Sequence, residues 1–179
     1  MPKQVKVEAF VLKKRSLPSK DNIITLLTQE HGKLPVFAKG VKTITSKRLP
    51  HLQTGNLIQA TLSKSTDRFY LQETSLISAF SEIKKDPHKL SFMYLLFFVV
   101  DRLFPEAQKE EKEYEEIKRF IILIANKNHH ASISDIENVL NKILLLLGYI
   151  DDEKEKLDIE RIKRVVEGLI DEKLPFFVI

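Results

Sequence analysis

The chain has no cysteine among its 179 residues, which excludes disulfides and cysteine-held zinc or iron–sulfur sites. It has only five glycines, so places where backbone could close tightly around a phosphate are few. Long hydrophobic runs are missing too. The longest, Phe92 to Val100, has nine residues, about half of the roughly 20 needed to span a bilayer. The N-terminal stretch MPKQVKVEAF lacks the apolar core of a secretion signal. A cytoplasmic protein with no membrane partner is expected.

Catalytic motifs are equally scarce. Gly40-Val41-Lys42-Thr43 resembles the end of a phosphate-binding loop, but that motif needs Gly directly before Lys and a second Gly five residues upstream, where this chain has Pro35. His129-His130 is the only histidine pair, and no third ligand stands at metal-binding spacing. It reads as an exposed turn between helices. The acidic run from Glu110 to Glu116 reads as a solvated helix face. No serine elbow, HExxH or glycine-rich dinucleotide fingerprint is present. The expectation is a protein that is not an enzyme and uses no cofactor and no metal.

What the chain does have is charge, unevenly placed. Residues 1–80 hold 13 Lys and Arg against 5 Asp and Glu, while residues 81–179 hold 16 against 20. A basic half followed by an acidic half should attract polyanions to one end only.

The periodicity changes at the same place. Before residue 80, apolar residues alternate. Val5, Val7, Ala9 and Val11 share one strand face. Ile24 and Leu26 line one side of a second strand, with Ile23 and Leu27 on the other. Strands follow at 33–40, about 56–63 and about 68–75. Five short strands without a long helix between them predict a small antiparallel barrel. A five-stranded barrel of the oligonucleotide-binding (OB) type fits, and an SH3-like barrel fits the strand count almost as well. After residue 80 the period is helical. Helices are predicted from Asp86-Pro87 to Phe104, over about 107–126, from a Ser134/Glu137 capping box to Gly148, and over about 158–170. The fold class is therefore α+β, with an OB-type barrel over 1–80 and a helical bundle over 81–179.

On an OB barrel, two loops frame the nucleic-acid groove, and the second and third strands form its floor. The cations fall accordingly. Lys13, Lys14, Arg15 and Lys20 lie in the connection between the first two strands. Lys39, Lys42, Lys47 and Arg48 follow the third strand, and Lys64 and Arg68 flank the turn between the fourth and fifth. Phe37 points away from the Leu34/Val36/Ala38 face and is the leading candidate for stacking on a base, with Phe10 and Tyr70 behind it. If about six cations engage phosphates of a single strand, affinity falls about 300-fold between roughly 50 and 200 mM salt. The residues favour nucleic acid over a merely solvated surface. An adaptor gripping acidic peptide tails and an RNA-binding OB protein stay open as alternatives.

Several stretches also resemble a known family. F-V-L-K-K-R (10–15), D-N-I-I-T-L-L-T-Q-E-H-G-K (21–33), V-F-A-K-G-V-K (36–42) and T-S-K-R-L (45–49) are similar to the N-terminal domain of RecO, the bacterial recombination mediator. The likeness continues through L-Q-E-T-S-L-I-S-A-F (71–80), Y-L-L-F-F-V-V-D-R-L-F-P-E (94–106) and L-L-L-L-G-Y (144–149). The resemblance implies a nucleoid-associated, non-catalytic protein that binds single- and double-stranded DNA and anneals complementary strands. It also implies loading of a recombinase onto strands coated by single-strand-binding protein, with a RecR-like protein and the tail of that coating protein as partners. This chain departs from the family in three ways. The four-cysteine zinc module that often follows L-G-Y is replaced by I-D-D-E-K-E-K-L-D. The first loop reads Pro18-Ser19-Lys20-Asp21, more basic than is usual. The chain is also shorter than most members, so a reduced helical domain is expected. The apolar end, Pro175 to Ile179, reads either as packing on the bundle or as a docking tail.

Overall fold

The computed structural model describes residues 4–18, 21–40, 48–151 and 156–174. Lys20, Lys42, Lys47 and the apolar end 175–179 lie outside the described residues. Two compact units are distinguished, Met1–Phe80 with Phe104–Glu111, and Ser81–Leu103 with Lys112–Ile179.

The first unit is built on five strands: β1 (Gln4–Ser16), β2 (Asn22–Thr28), β3 (Gly32–Ala38), β4 (Leu57–Ser65) and β5 (Arg68–Ser78). They close in the order β1-β2-β3-β5-β4, the five-stranded closed barrel expected of an OB-type fold. Closure depends on β1 serving two neighbours. Its first half pairs with β4, from Gln4↔Ser63 to Phe10↔Leu57. Its second half pairs with β2, from Ala9↔Thr28 to Ser16↔Asn22, with a bulge between Val11 and Lys13. A bulge adds a residue and sharpens the local twist, which lets one strand turn the corner. The seam between β3 and β5 is parallel, Val36↔Phe69 and Phe37↔Tyr70.

Alternation then sorts the side chains. Val7, Ala9, Val11, Ile24, Leu26, Leu34, Val36, Ile58, Ala60 and Leu62 fill the interior and are essentially inaccessible. At roughly 25 cal/mol per Å² of apolar surface, such burial is the main stabilising term of a small barrel. Gly32 opens β3 in the left-handed region, φ +65°, and a Cβ there would lie 1.7 Å from the carbonyl oxygen of Gln108. Only glycine admits that contact, and the Ala107 N–H donates to the Lys33 carbonyl beside it at 2.8 Å. Residues 104–111 thus belong to the barrel unit rather than the helical one.

The second unit holds α1 (Ser81–Lys85), α2 (Pro87–Leu103), α3 (Glu111–Ala125), α4 (Ile133–Leu146) and α5 (Ile159–Ile170). The sequence gives no warning of α1. Asp86 opens α2, its Oδ1 accepting from the N–H groups of His88 at 2.9 Å and Lys89 at 3.2 Å. Pro87 occupies the first helical position, where its missing N–H costs nothing. α2 is apolar nearly all round and buries Phe92, Met93, Leu95, Leu96, Phe97, Val99 and Val100. It packs against α4 and α5.

The capping box of α4 lies two residues earlier than Ser134/Glu137. Ser132 is the N-cap, and its N–H and hydroxyl reach the Asp135 carboxylate at 2.8 and 2.9 Å. Glu137 instead accepts from the N–H of Ile159 at 2.9 Å. Asn141, almost fully buried, donates to the Leu157 carbonyl at 2.8 Å and accepts from its N–H at 2.9 Å, bolting α4 to the entry of α5. Lys89 is also buried, and its Nζ donates to the Asn126 carbonyl just past α3 at 2.9 Å. A cation there satisfies a helix-end acceptor and suits the negative end of the dipole. No helix among the described residues is long and apolar enough to cross a membrane.

Candidate nucleic-acid interface

Cross-strand register defines one row over the outside of the barrel. Arg15 pairs with Ile23, Ile23 with Phe37, Phe37 with Tyr70, and Tyr70 with Ser63. Paired residues share a sheet face, so Arg15, Phe37 and Tyr70 stand on the same side. The neighbouring row, Lys13, Thr25 and Pro35, stands there too. Lys14 pairs with the core residue Ile24 and so belongs to the opposite register. It is nonetheless exposed.

Lys13, Lys14 and Arg15 therefore sit within β1, not in the connection that follows it. Alternation fails to reveal this because the strand's last four residues are exposed on both faces. Their side chains give the polar pattern of a loop.

At the parallel seam the two rings meet. Phe37 and Tyr70 are half-buried, with centroids 5.8 Å apart and planes at 36°. Each ring carries a cation. Lys39 Nζ lies 5.0 Å from the Tyr70 centroid, and the Arg68 guanidinium lies 5.3 Å from that of Phe37. Lys64 lies 5.5 Å from the Phe69 ring, in the register opposite to Phe37 and Tyr70, because Phe69 pairs with the core residue Val36. Such contacts are each worth about 0.5–1 kcal/mol at exposed sites, enough to order a long side chain but not to immobilise it. Ser65 and Arg68 flank a connection of only two residues, Thr66 and Asp67, with Lys64 just before Ser65 in β4. Thr66 takes a left-handed φ of 55° there, the conformation tight hairpin turns demand.

Arg48 has a different setting. Its Nη2 donates to the Lys39 carbonyl at 2.7 Å, and its Nη1 to the carbonyls of Leu71 at 3.1 Å and Gln72 at 3.4 Å. It joins the end of β3 to β5 immediately beside the rings. From the other side the Asp21 carboxylate accepts from the Gly40 N–H at 2.8 Å. The backbone that carries Lys39 is thus held at both edges. A cavity of about 450 Å³ opens at this point, lined by Phe37, Lys39, Arg48, Ser65, Tyr70 and Gln72 among others.

The structure brings Lys39, Arg68 and Arg48 together around Phe37 and Tyr70, with Arg15 and Lys13 further along the same face, whereas Lys64 pairs with Phe69 and so stands in the opposite register. Lys42 and Lys47 fall on residues outside the description. Phe10 is fully buried and stacked on Phe80, centroids 6.2 Å apart, so it offers no face to a base. Tyr70, Ser65 and Gln72 carry more of the site than the sequence reading gave them. The signal was present in R-F-Y-L-Q, where Arg68, Tyr70 and Gln72 alternate with apolar Phe69 and Leu71.

In the helical unit, His129 Nε2 lies 3.0 Å from Asp135 Oδ2. Among the described residues, no three His, Asp or Glu side chains gather to hold a metal. Burial works to raise the Asp135 pKa. The Ser132 N–H, the Ser132 hydroxyl and His129 outweigh it and hold the carboxyl below its ordinary range.

Comparison with known proteins adds three findings. Residues 1–80 match the family described as Recombination protein O N terminal. The chain is 29% identical over 146 residues to the DNA repair protein RecO of Caldanaerobacter subterraneus subsp. tengcongensis, an overlap covering 82% of this chain and 59% of that one. It is also 29% identical over 151 residues to the protein of the same name from Clostridium acetobutylicum, covering 80% and 58%. The chain thus spans under three fifths of the length of these relatives.

Proposed function

Since residues 1–80 belong to the Recombination protein O N-terminal family, with likeness to RecO proteins running over most of the chain, we propose that this protein binds DNA and serves its repair. The observation that carries the reading is the pair of cations on the Phe37–Tyr70 rings. Lys39 and Arg68 come from opposite sides of the β3–β5 seam and present charge beside stacking surface on one outer face.

In this reading Lys39 and Arg68 take backbone phosphates at the rings, Arg15 and Lys13 extend the track across β1, and Lys64 adds charge from beside Phe69. Lys14 meets phosphate from the barrel end, and Lys42 and Lys47 add charge along the same stretch of sequence. Arg48 acts through Lys39, as a staple. Phosphate contacts carry little sequence information, so binding is largely non-specific. Neutralising two complementary strands on one surface lowers their repulsion, which is the simplest physical route to annealing. Recombinase loading onto strands coated by single-strand-binding protein would follow, with a RecR-like protein and the coating protein's tail as partners. No catalytic step is assigned.

The test is fluorescence anisotropy with a mixed-sequence 30-mer from about 50 to 200 mM salt, followed by an annealing assay with its complement. For about five phosphate contacts the log–log slope should be near −3.5. A slope near zero, or no binding at low salt, overturns the proposal.

A further inference from the structure

What the ring face can hold follows from how its rings are occupied, and the inference rests on the DNA-binding reading above. Phe37 and Tyr70 are half exposed, and each carries a cation over its ring. The adjoining cavity of about 450 Å³ falls within the range of about 300–1,000 Å³ typical of small-molecule sites. Gln72 lines it with an amide whose Nε2 is fixed on Ser63 Oγ at 2.6 Å, and Ser65 adds a hydroxyl. Stacking surface, cations and edge-reading groups therefore share one concavity.

We propose that this cavity is a site for one unpaired nucleotide, its base laid on the Phe37–Tyr70 rings in place of the two cations and its phosphate held by those same cations. Lys39 and Arg68 cover the rings in the free protein. A phosphate attracts an ammonium or guanidinium far more strongly than a ring quadrupole does. An arriving strand draws the cations aside and uncovers the rings in the same event. A duplex cannot complete the exchange. Its phosphates reach Lys39 and Arg68, but its bases are stacked on both sides, and turning one out is costly. The face thus has two modes, a shallow one for duplex and a deeper one for single strand.

The experiment compares three ligands with equal numbers of phosphates: a mixed-sequence single strand, a duplex, and a strand of abasic residues. The wild-type chain should bind the single strand more tightly than the other two. Phe37→Leu/Tyr70→Leu should weaken single-strand binding roughly 10- to 100-fold, as expected for loss of a stacked base. Duplex and abasic binding should stay within about twofold. Tyr70→Phe keeps the ring and should keep the preference, so the site is tested even if the double variant does not fold. Equal wild-type affinity for all three ligands overturns the pocket and leaves DNA binding standing. So does equal weakening of all three in the double variant. Binding to none of them overturns DNA binding itself.

Discussion

Replacing Arg48 with alanine separates two roles that a basic residue at a nucleic-acid face can play. Its guanidinium donates to three carbonyls, at 2.7, 3.1 and 3.4 Å. A hydrogen bond from a charged group contributes about 1.5–3 kcal/mol. Two of the three are exposed, and one is near the distance limit, so the loss should total about 2 kcal/mol rather than the full sum. For a domain of roughly 60–100 residues each kcal/mol moves the midpoint by about 4–8 °C. Arg48→Ala should therefore lower the melting midpoint of the barrel by roughly 8–16 °C, read by circular dichroism in the β-sheet region. Well below that midpoint, the salt slope of single-strand binding should be unchanged. Lys39→Ala and Arg68→Ala should behave in the opposite way. Each should flatten the slope by about 0.7 while melting close to wild type. An Arg48→Ala variant that melts normally but flattens the slope by about 0.7 would refute the staple and make Arg48 a direct phosphate ligand.

Three further outcomes follow from the packing. Gly32→Ala forces a Cβ against the Gln108 carbonyl at a positive φ, so it should cost more than about 2 kcal/mol and accelerate hydrogen exchange at the Ala107 amide. Lys89→Ala should destabilise the helical unit by about 1–3 kcal/mol, because it strands the Asn126 carbonyl and opens a void. Lys89→Met, which keeps the volume, should cost less in a denaturant titration. Asp135 has a depressed pKa, so its stabilisation is complete above the ordinary carboxyl value and fades as pH falls through the lower folded value. Asp135→Asn should be less stable than wild type by about 0.5–2 kcal/mol at neutral pH. The gap should narrow below about pH 4, and a gap independent of pH would show that the charge is not responsible.

Much of the barrel is legible in the sequence because one buried face imposes a strict two-residue period. Leu34, Val36 and Ala38 are core, and Phe37 looks outward, as alternation requires. The class change near residue 80 is equally visible, since the Asp86-Pro87 start and the stop before Pro105 frame a stretch of helical length around the apolar run in α2. What alternation cannot register is a strand that runs on along one neighbour, β2, after the other, β4, has left it at Phe10, with its side chains exposed on both faces. That is why Lys13 to Arg15 read as a loop. Nor does it see contacts between distant segments. The β3–β5 seam that joins Phe37 to Tyr70 spans residues 33 apart in sequence, and no local pattern announces it. The α4 cap was misplaced for a related reason. Ser132/Asp135 and Ser134/Glu137 both offer an N-terminal hydroxyl with an acid three residues on, and the N–H of Ile159, from the next helix, claims Glu137.

The brevity of the Thr66–Asp67 turn has a consequence of its own. With two residues joining β4 to β5, that turn is too short to fold across an occupant. A strand bound as proposed would be supported beside the turn and not covered by it. Such a strand would peel away past the turn without waiting for the turn to rearrange. In the proposed annealing role, easy departure matters as much as capture.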